Sequence, residues 1–367
     1  MRILFVTQLY PPDPGGPATY AKLLEEVLPH HGITVQVVKF GDVRHLPRFV
    51  RHIVFMANIF AAAPNHDLVF VQDAVGCGLP AMIAARLRGK PLVVRLPGDY
   101  AWEQATQRFG VSEDIDSFQK NRRSLRAWVL HLIQRWVASR ATLVIVASQY
   151  FAGIVRGWGV PEDRLRIVYH GLDFSEPVRI PETSIQGPIM FSLGRFVPWK
   201  GFLFLVELLV ELPEWSLVIA GDGPQRPLVE QRARELGVSD RLILTGVIEH
   251  SLVLGWYRRA DVFVLNSSQE NFSFQTLEGM ISGTPVIATA IGAIPELITD
   301  GIEGRLLEPN DRAGFLAAIQ SVAAEPSVWK KRTEAAKQKA EHFSTDRMLS
   351  GTAAVLVESL HSRPSQA

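Results

Sequence analysis

Short apolar runs alternate with stretches of helical period along nearly the whole chain. In the first half the runs are Arg2–Thr7, Thr34–Phe40, Leu68–Gln72, Leu92–Leu96, Leu143–Ala147 and Leu165–Tyr169, each four to seven residues long. They are rich in Val and Ile, so both faces of each predicted strand are expected to be buried, as in a parallel sheet. Between them, Tyr20, Leu23, Leu24, Val27 and Leu28 fall on one helical face, and Gly32 follows as a stop. The second half repeats the theme. Strands are predicted at Ile189–Ser192, Ser216–Ala220, Leu242–Thr245, Val262–Leu265 and Val286–Ala288, with helices near residues 201–211, 224–236, 250–258, 275–282 and 311–323. Such alternation predicts an α/β chain of two doubly wound domains. Ligands of open parallel sheets bind beyond the carboxyl ends of the strands, and two such domains facing each other would enclose a cleft.

A length of 367 residues suits two domains at roughly 150 residues each. The aperiodic segment 174–187, with Pro177 and Pro181, is expected to link an N-terminal domain, 1–173, to a C-terminal one, 188–345. Residues 346–367 form a last helix and a tail, of which Ser362–Ala367 is expected to be disordered. Charge changes sign near the same boundary: 20 Lys+Arg against 14 Asp+Glu in 1–173 (+6), and 18 against 23 in 174–367 (−5). The total of +1 gives no reason to expect nucleic acid as a partner. The single cysteine, Cys77, excludes an internal disulfide framework and a multi-cysteine zinc site. The first apolar run is too short for a signal-peptide core, and no 18-residue apolar stretch occurs. The expectation is a cytoplasmic protein, at most attached to the inner face of a membrane.

Four loops at predicted strand ends could carry chemistry. After Arg2–Thr7 comes a proline-stiffened loop with Gly15 and Gly16 before a helix, where backbone N–H groups can approach an anion. After Ile189–Ser192 come Arg195 and Lys200, two cations five residues apart that suit a diphosphate, a guanidinium fork beside a compact ammonium. After Ser216–Ala220 comes the turn Gly221-Asp222-Gly223-Pro224. After Val262–Leu265 comes Asn266-Ser267-Ser268-Gln269-Glu270-Asn271-Phe272-Ser273-Phe274, with Glu278 in the first turns of the following helix. Two carboxylates eight apart across a loop–helix junction can point into one cleft, and the helix start can hold phosphate. Read singly, each loop also fits plain turn chemistry or solvated charge. The absence of G-x-G-x-x-G disfavours a dehydrogenase.

Taken together, these pieces resemble the GT-B retaining glycosyltransferases of family 4, also called glycosyltransferase group 1. The resemblance rests on Tyr10-Pro11-Pro12 with Gly15-Gly16, Val144–Ser148, His170-Gly171-Leu172-Asp173, Gly194-Arg195 with Lys200-Gly201, Gly221–Pro224, Thr245–Val247, and Glu270 to Glu278 followed by Gly283-Thr284-Pro285-Val286-Ile287-Ala288. It implies two Rossmann-like domains, the first binding the acceptor and the second a nucleotide-sugar, with the last helix crossing back to the first. It also implies that Arg195 and Lys200 hold the donor diphosphate, that Glu278 accepts from ribose hydroxyls, and that Glu270 contacts the sugar near the transferred carbon. The N–H groups around Phe272, Ser273 and Phe274 would hold sugar or phosphate. Gly15 and Gly16 would admit the diphosphate, and Gly223 and Val247 would lie near the base. Asn271, Ser273 and Gln275 stand where many members have glycine, glycine and proline, and Pro97 stands where many have histidine. Asp99 is the nearest replacement for that histidine, expected to meet a sugar hydroxyl or the acceptor.

The implied reaction moves a sugar to a hydroxyl of a glycan or lipid-linked acceptor with retention of configuration. Fixed cations can neutralise the departing diphosphate, and no D-x-D motif is present, so neither a metal nor a cofactor is expected. A non-catalytic nucleotide-sugar-binding protein and a nucleotide-sugar epimerase are the alternatives on the same fold. Basic amphipathic stretches raise the further expectation of contact with anionic membrane. Residues 44–60 place Leu46, Phe49, Val50, Ile53, Met56, Ile59 and Phe60 among Arg44, Arg48, Arg51 and His52. Residues 120–140 place Leu125, Trp128, Val129, Leu132 and Trp136 among six Lys and Arg.

Overall fold

The structure, a computed structural model, describes residues 1–13, 16–111, 113–121, 124–173 and 177–361, without the side chains of Arg48 and Phe49. Gly15 and the tail Ser362–Ala367 lie outside the described residues. The chain divides into two compact units. One comprises Met1–His170 together with the segment from Thr345 onward, and the other Gly171–Ser344.

The first unit is built on six parallel strands: β1 (Arg2–Thr7), β2 (Thr34–Lys39), β3 (Leu68–Gln72), β4 (Leu92–Leu96), β5 (Leu143–Val146) and β6 (Leu165–Ile167), in the order β2-β1-β3-β4-β5-β6. Period-two alternation sends successive apolar residues to opposite, equally buried faces. Leu4, Val6, Val69, Val71, Val94 and Val144 pack one face against helices that include Arg48–Ala62, Gly78–Leu87 and Leu125–Arg140. Ile3, Phe5, Leu68, Phe70, Val93 and Ile145 pack the other against the helices Gly16–Val27 and Thr345–His361. The last helix is therefore part of the first unit's core: Met348, Leu349, Ala353, Val355 and Leu356 are buried there, and Thr352 Oγ1 lies 3.1 Å from Tyr20 Oη.

The second unit repeats the plan with β7 (Ile189–Leu193), β8 (Ser216–Ala220), β9 (Leu242–Gly246), β10 (Val262–Leu265), β11 (Val286–Thr289) and β12 (Arg305–Leu307), all parallel, in the order β12-β11-β10-β7-β8-β9. On one face Met190, Leu217, Ile219, Val264 and Ile287 join a core with Leu205, Val206 and Phe315. On the other, Phe191 meets Tyr257 edge-on at 5.0 Å. Each sheet is wound outward in both directions from a central strand pair, β1/β3 in the first and β7/β10 in the second.

The edge strand β12 escapes the hydrophobic pattern because it is three residues long, starts with Arg305 and is only partly buried. The helix Pro326–Ala340 is too polar to show a periodic stripe, with Trp329, Ala336 and Ala340 as its buried positions. The segment expected as a linker is not free. In its described part, Arg179 N donates to Ser251 O at 3.1 Å and its guanidinium pairs with Glu249 at 2.9 Å. Among the described residues no helix is long and apolar enough to cross a membrane.

Because the last helix closes one face of the first sheet, Leu356→Ala is expected to destabilise the first unit by about 2–5 kcal/mol through lost burial and a residual cavity. Limited proteolysis checks this: new cleavage should appear within residues 1–170 while 171–344 resists.

Candidate functional site

The switch point of a doubly wound sheet is where loops from neighbouring strands diverge and leave room for a ligand. In the second unit it lies between β7 and β10, whose following loops contain Lys200 and Glu270. The turn Pro198–Lys200 is clamped to the end of β10: Trp199 O accepts from Ser268 N at 2.8 Å and from Ser267 Oγ at 3.1 Å. Gly201 follows at φ 64°, and a Cβ there would lie 2.3 Å from Asn266 O, so only glycine lets the two loops approach this closely. Asn266 is fixed in turn, since its Oδ1 accepts from Asn310 N and its Nδ2 donates to Asn310 Oδ1, both at 2.9 Å. Ala293 N donates to Glu270 O at 3.3 Å and ties the second loop to the residues after β11. The result is a buried ion pair, Lys200 Nζ donating to Glu270 Oε1 at 2.5 Å.

The other expected residues of this unit sit on the same carboxyl edge. Arg195, on the loop with Lys200, is exposed, and its guanidinium has no hydrogen bond or ion pair among the described residues. The loop after β8 runs alongside: Phe196 N donates to Asp222 O and Gln225 N to Phe196 O, both at 3.0 Å. Both glycines of the turn are in close contact: a Cβ at Gly221 would lie 2.0 Å from Gly194 O, and one at Gly223 2.7 Å from Phe196 N. Gly221 N donates to Gly246 O at 2.8 Å, which joins this turn to the end of β9, and Val247 next to it is 84% exposed. Phe272 is buried and packs edge-on against Phe274 at 5.4 Å. Ser273 caps the helix Phe274–Ser282, its side chain accepting from Thr276 N.

Glu278, on that helix, is buried but does not face a cation of the β7 loop. Its Oε1 lies 3.0 Å from His250 Nε2. Tyr257 donates to Gln275 O at 2.7 Å, and burial, then the Glu278 charge, pushes its phenol well above the usual range. His250, Asn266 and Asn310 are site-building residues that pattern reasoning missed. His250 opens the helix His250–Arg259 with no motif around it, and the asparagines act only through a contact 44 residues apart.

In the first unit, Gly16 is exposed at the start of its helix. Asp99 corrects the expectation of a substrate contact. It is fully buried and caps the helix Tyr100–Arg108. Its carboxylate accepts from Trp102 N at 3.0 Å, Gln119 Nε2 at 2.8 Å and Gln134 Nε2 at 2.9 Å. Those acceptor sites are taken by protein donors, so Asp99 is a structural cap. Nearby, Asp73 takes the N–H groups of Val75 and Cys77, while burial raises its carboxyl to about 6. Burial, then the Asp99 and Asp73 charges, raises Glu103 to about 7.

Two family models divide the chain between them. Glycosyltransferase Family 4 matches residues 6–176, and Glycosyl transferases group 1 matches residues 178–342. The chain belongs to the GT-B glycosyltransferases. Among similar proteins, a D-inositol 3-phosphate glycosyltransferase of Xylanimonas cellulosilytica is 27% identical over 249 residues, covering 63% of this chain and 60% of that protein's length. A Mycobacterium tuberculosis glycogen synthase is 27% identical over 381 residues, covering 92% and 90%. The fold is that of the Anabaena protein HepE, solved with UDP, at a TM-score of 0.76 and 20% identity, covering 98% of this chain and 100% of that one. HepE has also been solved with UDP-glucose.

For this GT-B protein the raised Glu103 carboxyl has a consequence for stability. An acid with a folded pKa near 7, against an ordinary value of 4.5, binds its proton more readily when folded, so it costs stability as pH rises through that window. Glu103→Gln is expected to raise the thermal midpoint relative to the parent at pH 8 and leave it unchanged near pH 4. A parallel shift at both pH values would contradict the raised pKa.

Proposed function

We propose that this protein transfers a sugar from a nucleotide-sugar to a hydroxyl of a glycan or lipid-linked saccharide, on the cytoplasmic side of a membrane. Configuration is retained and no metal is needed. The reading is carried by the buried Lys200–Glu270 pair at the switch point, with the uncommitted guanidinium of Arg195 on the same loop. HepE's complexes with UDP and UDP-glucose support a donor of this class and make UDP-glucose the first to test.

In the reaction the bond from the sugar's anomeric carbon to the phosphate oxygen breaks. The electron pair leaves with the nucleoside diphosphate, while the acceptor oxygen bonds to that carbon and passes its proton to the departing phosphate oxygen. The charge that develops on the leaving group is what the protein must stabilise. Arg195 presents a planar fork to phosphate oxygens, and Lys200 adds a point charge held in place before the donor arrives. These two take the part that a divalent cation plays elsewhere. Glu270 holds Lys200 in register and offers its remaining acceptor sites to sugar hydroxyls beside the positive carbon. Glu278, steadied by His250, offers an oxygen to the ribose. The exposed Val247 gives the base an apolar neighbour.

A panel of UDP-, GDP- and ADP-sugars, scored for transfer and for donor hydrolysis, tests the reading. Arg195→Ala, Lys200→Ala and Glu270→Ala are each expected to lower kcat/KM by roughly 10²–10³-fold, the loss typical of one transition-state charge stabiliser. Glu278→Ala should act mainly by raising the donor KM. Near-parental turnover in the first three variants overturns the site. Added EDTA should leave the rate unchanged, and a loss reversed by magnesium or manganese overturns the metal-free mechanism.

A further inference from the structure

A cation sits inside the first unit without a counter-charge. Arg95, the fourth residue of β4, is only 3% exposed. Strand alternation places Leu92, Val94 and Leu96 in the core on one face of the sheet, and turns Val93 and Arg95 to the face covered by the helix Gly16–Val27. The guanidinium carbon stands 3.8 Å from the centre of the Tyr20 ring, and Nη2 donates to His170 Nδ1 at 3.0 Å. Burial, then the Arg95 charge, holds that imidazole well below its usual range, so it accepts as a neutral ring. Among the described residues Arg95 has no other partner, so the N–H groups of Nε and Nη1 are uncommitted and no carboxylate offsets the charge. Buried charges are normally paired, and an aromatic face with a neutral imidazole repays only part of the lost hydration. A purely structural role would be served as well by an apolar side chain, as Val93 serves on the same face.

The surroundings favour an anion. His170 follows the end of β6, and Tyr20 lies in the first turns of a twelve-residue helix. The guanidinium therefore stands at the carboxyl edge of the sheet, where ligands of such sheets bind, and near the positive end of that helix. The helix start is fixed to the sheet, because Gln72, in register with Arg95 on β3, donates to Pro17 O at 3.2 Å. A helix start makes a lone cation less favourable and an added phosphate more so. The free edge of a guanidinium matches phosphate oxygens in geometry. The donor diphosphate already has Arg195 and Lys200 on the second unit, so an anion on the first unit belongs to the other substrate.

We propose that Arg95 receives a phosphate group of the acceptor at the carboxyl edge of the first sheet. The word acceptor rests on the functional reading, but the anion site can be tested without donor or turnover. Thermal midpoints of the full chain are measured against rising inorganic phosphate, with chloride at equal ionic strength as the reference. The parent Tm is expected to rise with phosphate, as mass action requires of a ligand that binds the folded state. Arg95→Met, of similar length and uncharged, is expected to keep or exceed the parental Tm in chloride. Its apparent affinity for phosphate should fall roughly tenfold or more. Arg195→Ala should keep the parental phosphate response, which separates this site from the donor site and lets the two readings fail independently. A parent indifferent to phosphate overturns the proposal, as does an unchanged response in Arg95→Met. A response lost in Arg195→Ala overturns it by placing the ion at the donor site. A lower Tm of Arg95→Met in chloride, or its failure to fold, overturns it by making Arg95 a strut of the fold.

Discussion

The contact on which the candidate site depends is the salt bridge between Lys200 and Glu270. Taking two charges out of water costs several kcal/mol per ion, and their attraction repays this only when the geometry is held. The surrounding structure is what holds it. Trp199 O is fixed by two donors from the end of β10, Gly201 has no side chain to keep Asn266 away, and Asn266 is latched on both sides to Asn310. A surface pair would need none of this. Preorganising a cation so tightly at a strand switch point makes sense where a phosphate must be met by charge that does not have to move.

The same logic separates the two cations that looked equivalent in the sequence. Lys200 is buried and paired, whereas Arg195 is exposed and uncommitted. One is fixed between the two loops and the other has no side-chain partner among the described residues. Glu278 is likewise neighbour to a histidine rather than to either cation. The pairing of charges is thus set by the loops' three-dimensional closure, and spacing along the chain could not have assigned it.

What could be read in advance follows from how local the physics is. β1, β3, β4, β8 and β10 lie at their expected bounds because a doubly buried strand needs an unbroken apolar run, which a sequence displays openly. Lys200 and Glu270 follow strands and Glu278 lies on a helix as the pattern predicts, since glycine turns and helix starts are short-range features. Asp99 was misread because an N-cap and a ligand-facing aspartate look identical until Gln119 and Gln134 are brought to it from 20 and 35 residues away. His250 and the Asn266–Asn310 latch were invisible for the same reason. β12 and the helix Pro326–Ala340 lacked a hydrophobic signature because they bury little.

The misreading of Asp99 and the exposed apolar residues of the helix Leu125–Arg140 have one cause. A buried carboxylate must have its lone pairs satisfied, and here two glutamines meet that requirement, one of them on the helix Leu125–Arg140. Placing Gln134 inward fixes the helix's rotation about its axis. With a period of 3.6 residues, Leu125, Trp128, Val129 and Leu132 are then carried to the outside. The same rotation keeps Leu130, Ile133 and Trp136 against the core beside the buried Ala127, Val137 and Ala138, so hydrophobic burial and the polar contact act together.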